Sequence, residues 1–191
     1  MKEIMVLSLF LLLTACLGGY SPDSQFYKLQ TIDDVDVVGL QKISIGIANI
    51  NLPDYLEKPQ IVVFEKASPK MKISEINRWG EPLSSMIQRT LAADISMYLP
   101  NSVVKSKLTL TEKFDYLVEV QIVRFDMIWD KEAVLEAWWY INNYKGNIIY
   151  GQKFLQHEKI GKSFSDFADA ESILLGKMSK DIAQKFVFLK K

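Results

Sequence analysis

Residues 116–150 constrain the fold more than any other part of the chain, because apolar side chains recur there at every second position. This period of two is typical of strands that bury one face. Asp130-Lys131 and Lys145-Gly146-Asn147 interrupt the alternation and are turn signals. The sequence therefore predicts an antiparallel meander of three strands, which run from Tyr116 to Trp129, from Ala133 to Tyr144 and onward from Ile148.

The middle strand of this meander separates two neighbouring tryptophans. Successive side chains of a strand point to opposite faces, so Trp138 and Trp139 lie on different sides of the predicted sheet. One face carries Val134, Glu136, Trp138 and Tyr140, and the other carries Leu135, Ala137, Trp139 and Ile141. We expect at least one of the two tryptophans in the core. The other is either covered by a helix or exposed as a partner surface.

Two other segments repeat apolar residues at helical spacing. The first runs from Leu83 to Leu99, directly after Pro82, and the second runs from about Phe164 to Phe188. Shorter strands are predicted at Phe26–Leu29, Ile43–Ala48, Ile61–Phe64 and Lys72–Ile76. The chain is therefore predicted to form one α+β domain of two layers. Two amphipathic helices pack on a mixed or antiparallel sheet, whose long meander occupies the C-terminal half of the chain.

The N-terminus has the pattern of a secretory signal peptide. The apolar run Ile4–Leu13 is too short to cross a bilayer. Leu13-Thr14-Ala15-Cys16 then has the form of a bacterial lipobox, and it holds the single cysteine of the chain. We interpret residues 1–15 as a lipoprotein signal peptide, Cys16 as the site of acyl and diacylglyceryl attachment, 16–25 as a flexible tether and 26–191 as the domain. An ordinary signal peptide followed by a chance cysteine is the alternative.

The composition disfavours several common functions. Lys+Arg and Asp+Glu both number 23, so the chain has no net charge with which to bind nucleic acid. One Cys and one His provide neither an internal disulfide nor a Cys/His zinc site. His157 is interpreted as a surface or strand-end residue. Gly161-Lys162-Ser163 is interpreted as a helix cap, because Gln156 stands where a phosphate-binding loop needs glycine. We predict no catalytic residue, metal or cofactor, and so no enzyme.

Two segments and Trp138 are candidate partner-binding sites. Leu52, Pro53, Tyr55 and Leu56 form a rigid apolar loop, which either contacts a protein or lipid or folds back onto the core. Arg78 and Glu81 are spaced to form an ion pair, and Trp79 is placed to receive the guanidinium on its ring. This second group is either a binding anchor or, as we favour, a structural clamp that sets the entry of the first helix.

Several blocks stand in a fixed order along the chain. They are the lipobox at Cys16, Ser21-Pro22 with Phe26-Tyr27-x-Leu29, Ile45–Ile47, Leu52-Pro53-x-Tyr55-Leu56, Pro59-Gln60-Ile61-Val62, Asn77–Leu83 and Leu135-x-Ala137-x-Trp139. In this order the blocks resemble the ABC-transport auxiliary lipoproteins of the PqiC/YmbA family. Lys58 departs from the pattern, because many relatives carry Arg there.

The resemblance implies a non-enzymatic lipoprotein that is anchored to the outer membrane of a Gram-negative bacterium and faces the periplasm. Leu17, rather than Asp, follows Cys16, which agrees with the outer-membrane sorting rule of enteric bacteria. The implied partners are a periplasmic MCE-domain protein and its inner-membrane ABC transporter, which together move lipids; nucleic acid is not among them. The alternative is a free-standing lipid carrier or envelope-assembly lipoprotein, with Trp138 and Trp139 lining an apolar pocket. The transported lipid and the formation of a homo-oligomer stay open.

Overall fold

The computed structural model describes residues 22–33, 36–65, 68–109 and 112–189, so the predicted signal peptide, Cys16 and residues 17–21 lie outside the described residues. Within these ranges, one mixed sheet of eight strands is packed against two long helices. The strands are β1 (Gln25–Tyr27), β2 (Ser44–Ile47), β3 (Gln60–Phe64), β4 (Met71–Trp79), β5 (Val103–Lys105), β6 (Tyr116–Ile128), β7 (Glu132–Asn143) and β8 (Ile148–Lys159). The helices are α1 (Leu83–Tyr98) and α2 (Phe164–Phe188), with a short 3-10 helix at Asp54–Leu56. The predicted α+β class is confirmed.

The meander forms as the alternation predicts. β6 pairs antiparallel with β7, and β7 pairs antiparallel with β8, over nearly their whole lengths. The other edge of β6 is shared, because β2 pairs with it in parallel from Tyr116 to Val118 and β3 pairs with it in parallel at Met127 and Ile128. The loop that contains the 3-10 helix connects β2 to β3, which pair with opposite ends of β6.

Most strand bounds differ from the predictions by one or two residues, and the three departures that affect the sheet concern β4, β1 and β5. β4 extends to Trp79, past the predicted end at Ile76, because β3 and β1 both pair with its last residues. β1 begins at Gln25, one residue inside the predicted tether. β5 was not predicted, since three residues give no measurable period, and it forms by parallel pairing with β2.

The two helices begin where the capping residues indicate. Pro82 stands directly before α1, as expected. Ser163 caps α2, because its Oγ accepts a hydrogen bond of 3.0 Å from the backbone N–H of Asp166. This confirms the interpretation of Gly161-Lys162-Ser163 as a helix cap. Neither of the two helices among the described residues combines the length and the apolar character needed to cross a membrane.

The core lies between the helices and one face of the sheet. The predicted apolar stripe of α2 is buried, and it consists of Phe167, Ala170, Leu174, Met178, Ile182 and Phe186. At the centre of this layer the rings of Trp79, Phe125 and Phe167 contact one another, with centroids 5.9 to 6.1 Å apart. Strands β4 and β6 are thereby fixed to α2, and neither helix of the described residues packs on the opposite face of the meander, where Trp138 and Leu155 are exposed.

Candidate partner-binding surface

The neighbouring tryptophans of β7 lie on opposite faces of the sheet. Trp139 is 0% exposed in the core, whereas Trp138 is 40% exposed on the opposite face. The alternation of faces predicted for this strand is therefore confirmed. The lipid-carrier alternative requires both rings to line one pocket. They do not, because the sheet separates them.

Trp138 stands at the centre of a small apolar patch on this outer face. Its cross-strand neighbours are Gln121 and Lys153. Val123, at the bulge of β6, and Leu155, on β8, are also exposed apolar residues. The Lys153 Nζ lies 2.7 Å from Glu136 Oε1 and closes one side. We call Val123, Trp138 and Leu155 the Trp138 patch; an exposed aromatic with an ionic rim is typical of protein interfaces.

The expected pairing of Arg78 with Glu81 is wrong. Glu81 instead accepts two hydrogen bonds of 2.6 Å from the guanidinium of Arg89, which lies eight residues further on in α1. These bonds hold the pKa of Glu81 below its usual range. Arg78 lies in β4, and its Nη2 donates to the backbone oxygen of Glu75 at 3.4 Å.

The expected stacking of a guanidinium on Trp79 is also wrong. Trp79 is buried against Phe125 and Phe167, because its position in β4 directs its ring into the core. The segment therefore fits the structural clamp. Trp79 fixes the end of β4, and the pair of Glu81 and Arg89 fixes the start of α1.

The Leu52–Leu56 loop is folded onto the core. Leu56 is buried in the core, and Leu52 and Tyr55 are half-buried and pack against the core. Pro53 is half-buried as well. The hydroxyl of Tyr55 donates to Asp126 Oδ1 at 3.1 Å, and Arg124 Nε donates to Asp126 Oδ2 at 2.7 Å. Burial, followed by the charge of Asp126, raises the pKa of Tyr55 above its ordinary value. Of the two interpretations, this geometry fits the loop folded back onto the core.

The remaining polar motif is a surface residue. The Nδ1 of His157 lies 3.4 Å from Glu132 Oε2 on the open face of the meander. Residues 22–33, 36–65, 68–109 and 112–189 contain no group of three or more His, Cys, Asp or Glu side chains that is placed to hold a metal ion.

Two buried carboxyl groups of the helices were missed from the sequence, in addition to Asp126 of β6. Glu171 of α2 is fully buried, and neither of its oxygens has a hydrogen-bond partner among the described residues. Burial and then the charge of Asp126 raise its pKa well above the ordinary value. Burial also raises the pKa of Asp94 to about 6, although Ile32 N and Ser179 Oγ donate to it. The signal was present, since both acids stand among the apolar positions of their helices.

Comparison with known proteins gives one family. The model of the ABC-type transport auxiliary lipoprotein component family matches residues 27–183. The intermembrane transport lipoprotein PqiC of Escherichia coli K12 is 27% identical over 155 residues, which are 78% of this chain and 78% of the relative. The PqiC of Shigella flexneri matches to the same extent. The match therefore covers the domain from β1 to the last turns of α2.

Solved structures share the fold. An uncharacterized protein superimposes with a TM-score of 0.72 at 22% identity, over 86% of this chain and 99% of that chain. The protein XCC0632 of Xanthomonas campestris superimposes with a TM-score of 0.69 at 11% identity, over 86% of this chain and 95% of that chain. At these identities the likeness concerns the fold alone.

Proposed function

Since the chain belongs to the family of ABC-type transport auxiliary lipoprotein components, we propose that it is a non-enzymatic adaptor of an MCE-type ABC system that moves lipids across the envelope. The observation that carries this proposal is the extent of the family match, which includes all the layers of the domain. The relatives named PqiC are intermembrane transport lipoproteins. The periplasmic MCE-domain protein and the inner-membrane transporter are the proposed partners.

The proposed anchor is Cys16. The sulfur of Cys16 takes a diacylglyceryl group as a thioether, and the amino group that cleavage before this residue frees takes an acyl group. Several acyl chains anchor a protein stably, because each buried CH2 contributes about 0.8 kcal/mol. Leu17 at the next position supports retention at the outer membrane, with the domain facing the periplasm. Labelled palmitate should enter the wild type and not Cys16→Ala, and the variant should leave the membrane fraction.

The proposed contact on the open face is Trp138. It combines exposure with a rigid position in the centre of a three-stranded meander, so little conformational entropy is lost when a partner covers it. The other candidate residues then have supporting roles. Leu52, Pro53, Tyr55 and Leu56 hold the loop on the core, and Trp79, with Glu81 and Arg89, holds the junction of β4 and α1. Arg78, next to the last residue of β4, is a further candidate contact.

A pull-down from membranes tests the function. Tagged full-length protein and its Cys16→Ala form are purified in parallel, and the eluates are assayed for proteins and lipids by mass spectrometry. The adaptor predicts an MCE-domain protein with transporter subunits in the wild-type eluate. Stoichiometric phospholipid without any protein partner would overturn the adaptor and favour a free-standing lipid carrier.

A further inference from the structure

A second apolar surface lies at the C-terminal end of α2. Phe188 is 79% exposed there, Leu40 is 67% exposed, and Val37 and Val187 are exposed beside them. We call these four residues the distal tip. A cleft of about 510 Å³ opens between the segment 36–38 and the last turns of α2, with Val37, Val38, Val187 and Phe188 in its lining. Clustered apolar exposure of this kind marks a binding surface more often than chance.

The distal tip is remote from the proposed lipid anchor. The tether enters the domain at β1, where Tyr27 contacts Phe164 at the first turn of α2 with ring centroids 6.1 Å apart. From there α2 runs for 25 residues to the tip, or about 37 Å. The stretch from Cys16 to Gln25, where β1 begins, reaches only about 31 Å when fully extended. The tip therefore lies at the end of the domain that is far from the anchored end.

The backbone at the tip is already used within the domain. Val38 N and Gly39 N both donate to the carbonyl oxygen of Tyr98, at 3.0 and 3.4 Å. The carbonyl oxygen of Leu40 accepts from Asn101 Nδ2 at 3.3 Å. Because these groups are not available to pair with an added strand, recognition here proceeds through side chains. An apolar groove beside a helix, in which the contacts are made by side chains, is the kind of site that binds the apolar face of an amphipathic helix.

Two charges on the lining of the cleft define the partner further. Lys180 comes from α2 and Asp36 comes from the opposite wall. Within the described ranges, neither side chain forms an ion pair. A helix that carries one acidic and one basic side chain beside its apolar face would match both walls and fix its own direction in the groove.

We propose that the distal tip binds the apolar face of an amphipathic helix in the periplasmic protein of the transport system. This inference rests on the proposed function and assigns to it a specific surface and recognition mode. Phe188 and Val187 are the central contacts, and Lys180 and Asp36 orient the helix. The adaptor then holds the membrane at one end and its partner at the other, about one helix length apart.

Site-specific photo-crosslinking in cells tests the assignment. A benzoylphenylalanine replaces Phe188 in the full-length lipidated protein, and a matched control carries it at Ile73, an exposed apolar residue of β4. After irradiation, position 188 should give an adduct with a helical peptide of the periplasmic transport protein, and position 73 should not. An adduct with phospholipid or with a second copy of this chain, or no adduct, would overturn the assignment.

A substitution separates this inference from the function on which it rests. Phe188→Asp should lower the recovery of the transport protein about tenfold, the loss expected when a charge replaces an apolar anchor. Ile73→Asp should leave the recovery unchanged, and both variants should keep a cooperative thermal unfolding transition, because Phe188 is 79% and Ile73 is 41% exposed. If the wild type and Phe188→Asp recover the partner equally, only the tip assignment fails. If the wild type recovers no transport protein, the adaptor function and the tip assignment fail together.

Discussion

The two faces of β7 carry one tryptophan each, and helices cover only one of them. Trp139 is fully buried on the side of the sheet that α2 covers, whereas Trp138 is partly exposed on the opposite face. The residue type, the strand and the alternation are the same on both sides. What differs is the packing on each face: a helix covers the ring of Trp139, which is part of the core, and the ring of Trp138 stays exposed. Exposure in this domain therefore depends on where the two helices pack.

Replacing each tryptophan in turn gives the largest expected contrast. Trp139→Ala removes a fully buried ring and should lower the free energy of unfolding by about 3–5 kcal/mol. Trp138→Ala should lower it by less than about 1.5 kcal/mol, because its ring is already partly in water. Urea denaturation of the two variants measures both values. Equal losses would show that the open face is as important for stability as the covered one.

The covered side also contains acids, which make it sensitive to pH. The pKa of Asp94 is raised from 3.8 to about 6, so its stabilising contribution is complete below pH 3.8 and is lost as the pH rises through about 6. At about 1.4 kcal/mol per pKa unit, the loss up to pH 8 is about 3 kcal/mol. The raised pKa of Glu171 acts in the same direction.

The variant Asp94→Asn isolates this contribution. Its amide oxygen still accepts from Ile32, but it has no proton to lose in this range. Unfolding in urea at pH 5 and pH 8 should show a smaller difference for Asp94→Asn than for the wild type. The same difference in both proteins would mean that Asp94 does not control the pH dependence of the covered side.

The Leu52–Leu56 loop gives a smaller effect. Tyr55→Phe removes the hydrogen bond to Asp126 and leaves the ring against Phe64, so we expect a loss of about 1–2 kcal/mol. Thermal unfolding monitored by circular dichroism gives the value. Tyr144→Phe is a suitable control, since that tyrosine is 74% exposed. A neutral Tyr55→Phe would mean that apolar packing alone holds the loop.

The exposed ion pair gives the smallest effect. Glu81→Gln should cost about 0.5 kcal/mol, since water surrounds both Glu81 and Arg89. The loss should shrink in high salt. Denaturation at low and high ionic strength measures it; a loss above that of Tyr55→Phe would give the clamp at α1 a larger role than its exposure indicates.

The periodic parts of the fold could be predicted from the sequence, and the long-range pairings could not. The meander and α2 follow from periods of two and 3.6, and the bounds of α2 agree with the prediction. Arg89 as the partner of Glu81 depends on how α1 leaves β4, and Asp126 as the partner of Tyr55 depends on how the loop crosses β6. The sequence predicts Arg78 as the partner of Glu81, because the two are three residues apart. Spacing does not show in which direction α1 leaves β4, and that direction brings Arg89 to Glu81. β5 is set by its neighbour β2 in the same way.

The entry of the chain at β1 has a mechanical consequence. β1 lies alongside β4 in parallel register from Gln25 to Tyr27, so a pull on the chain before Gln25 acts along the strand. Its backbone hydrogen bonds to β4 are slanted across this direction, as in any parallel pair, and are loaded together in shear. Just beyond, the amides of Leu29, Gln30 and Ile32 donate to Met86, Ser172 and Asp94, on both helices. A force applied at the N-terminal end of the domain is thereby distributed over the sheet and both helices before any single contact has to break.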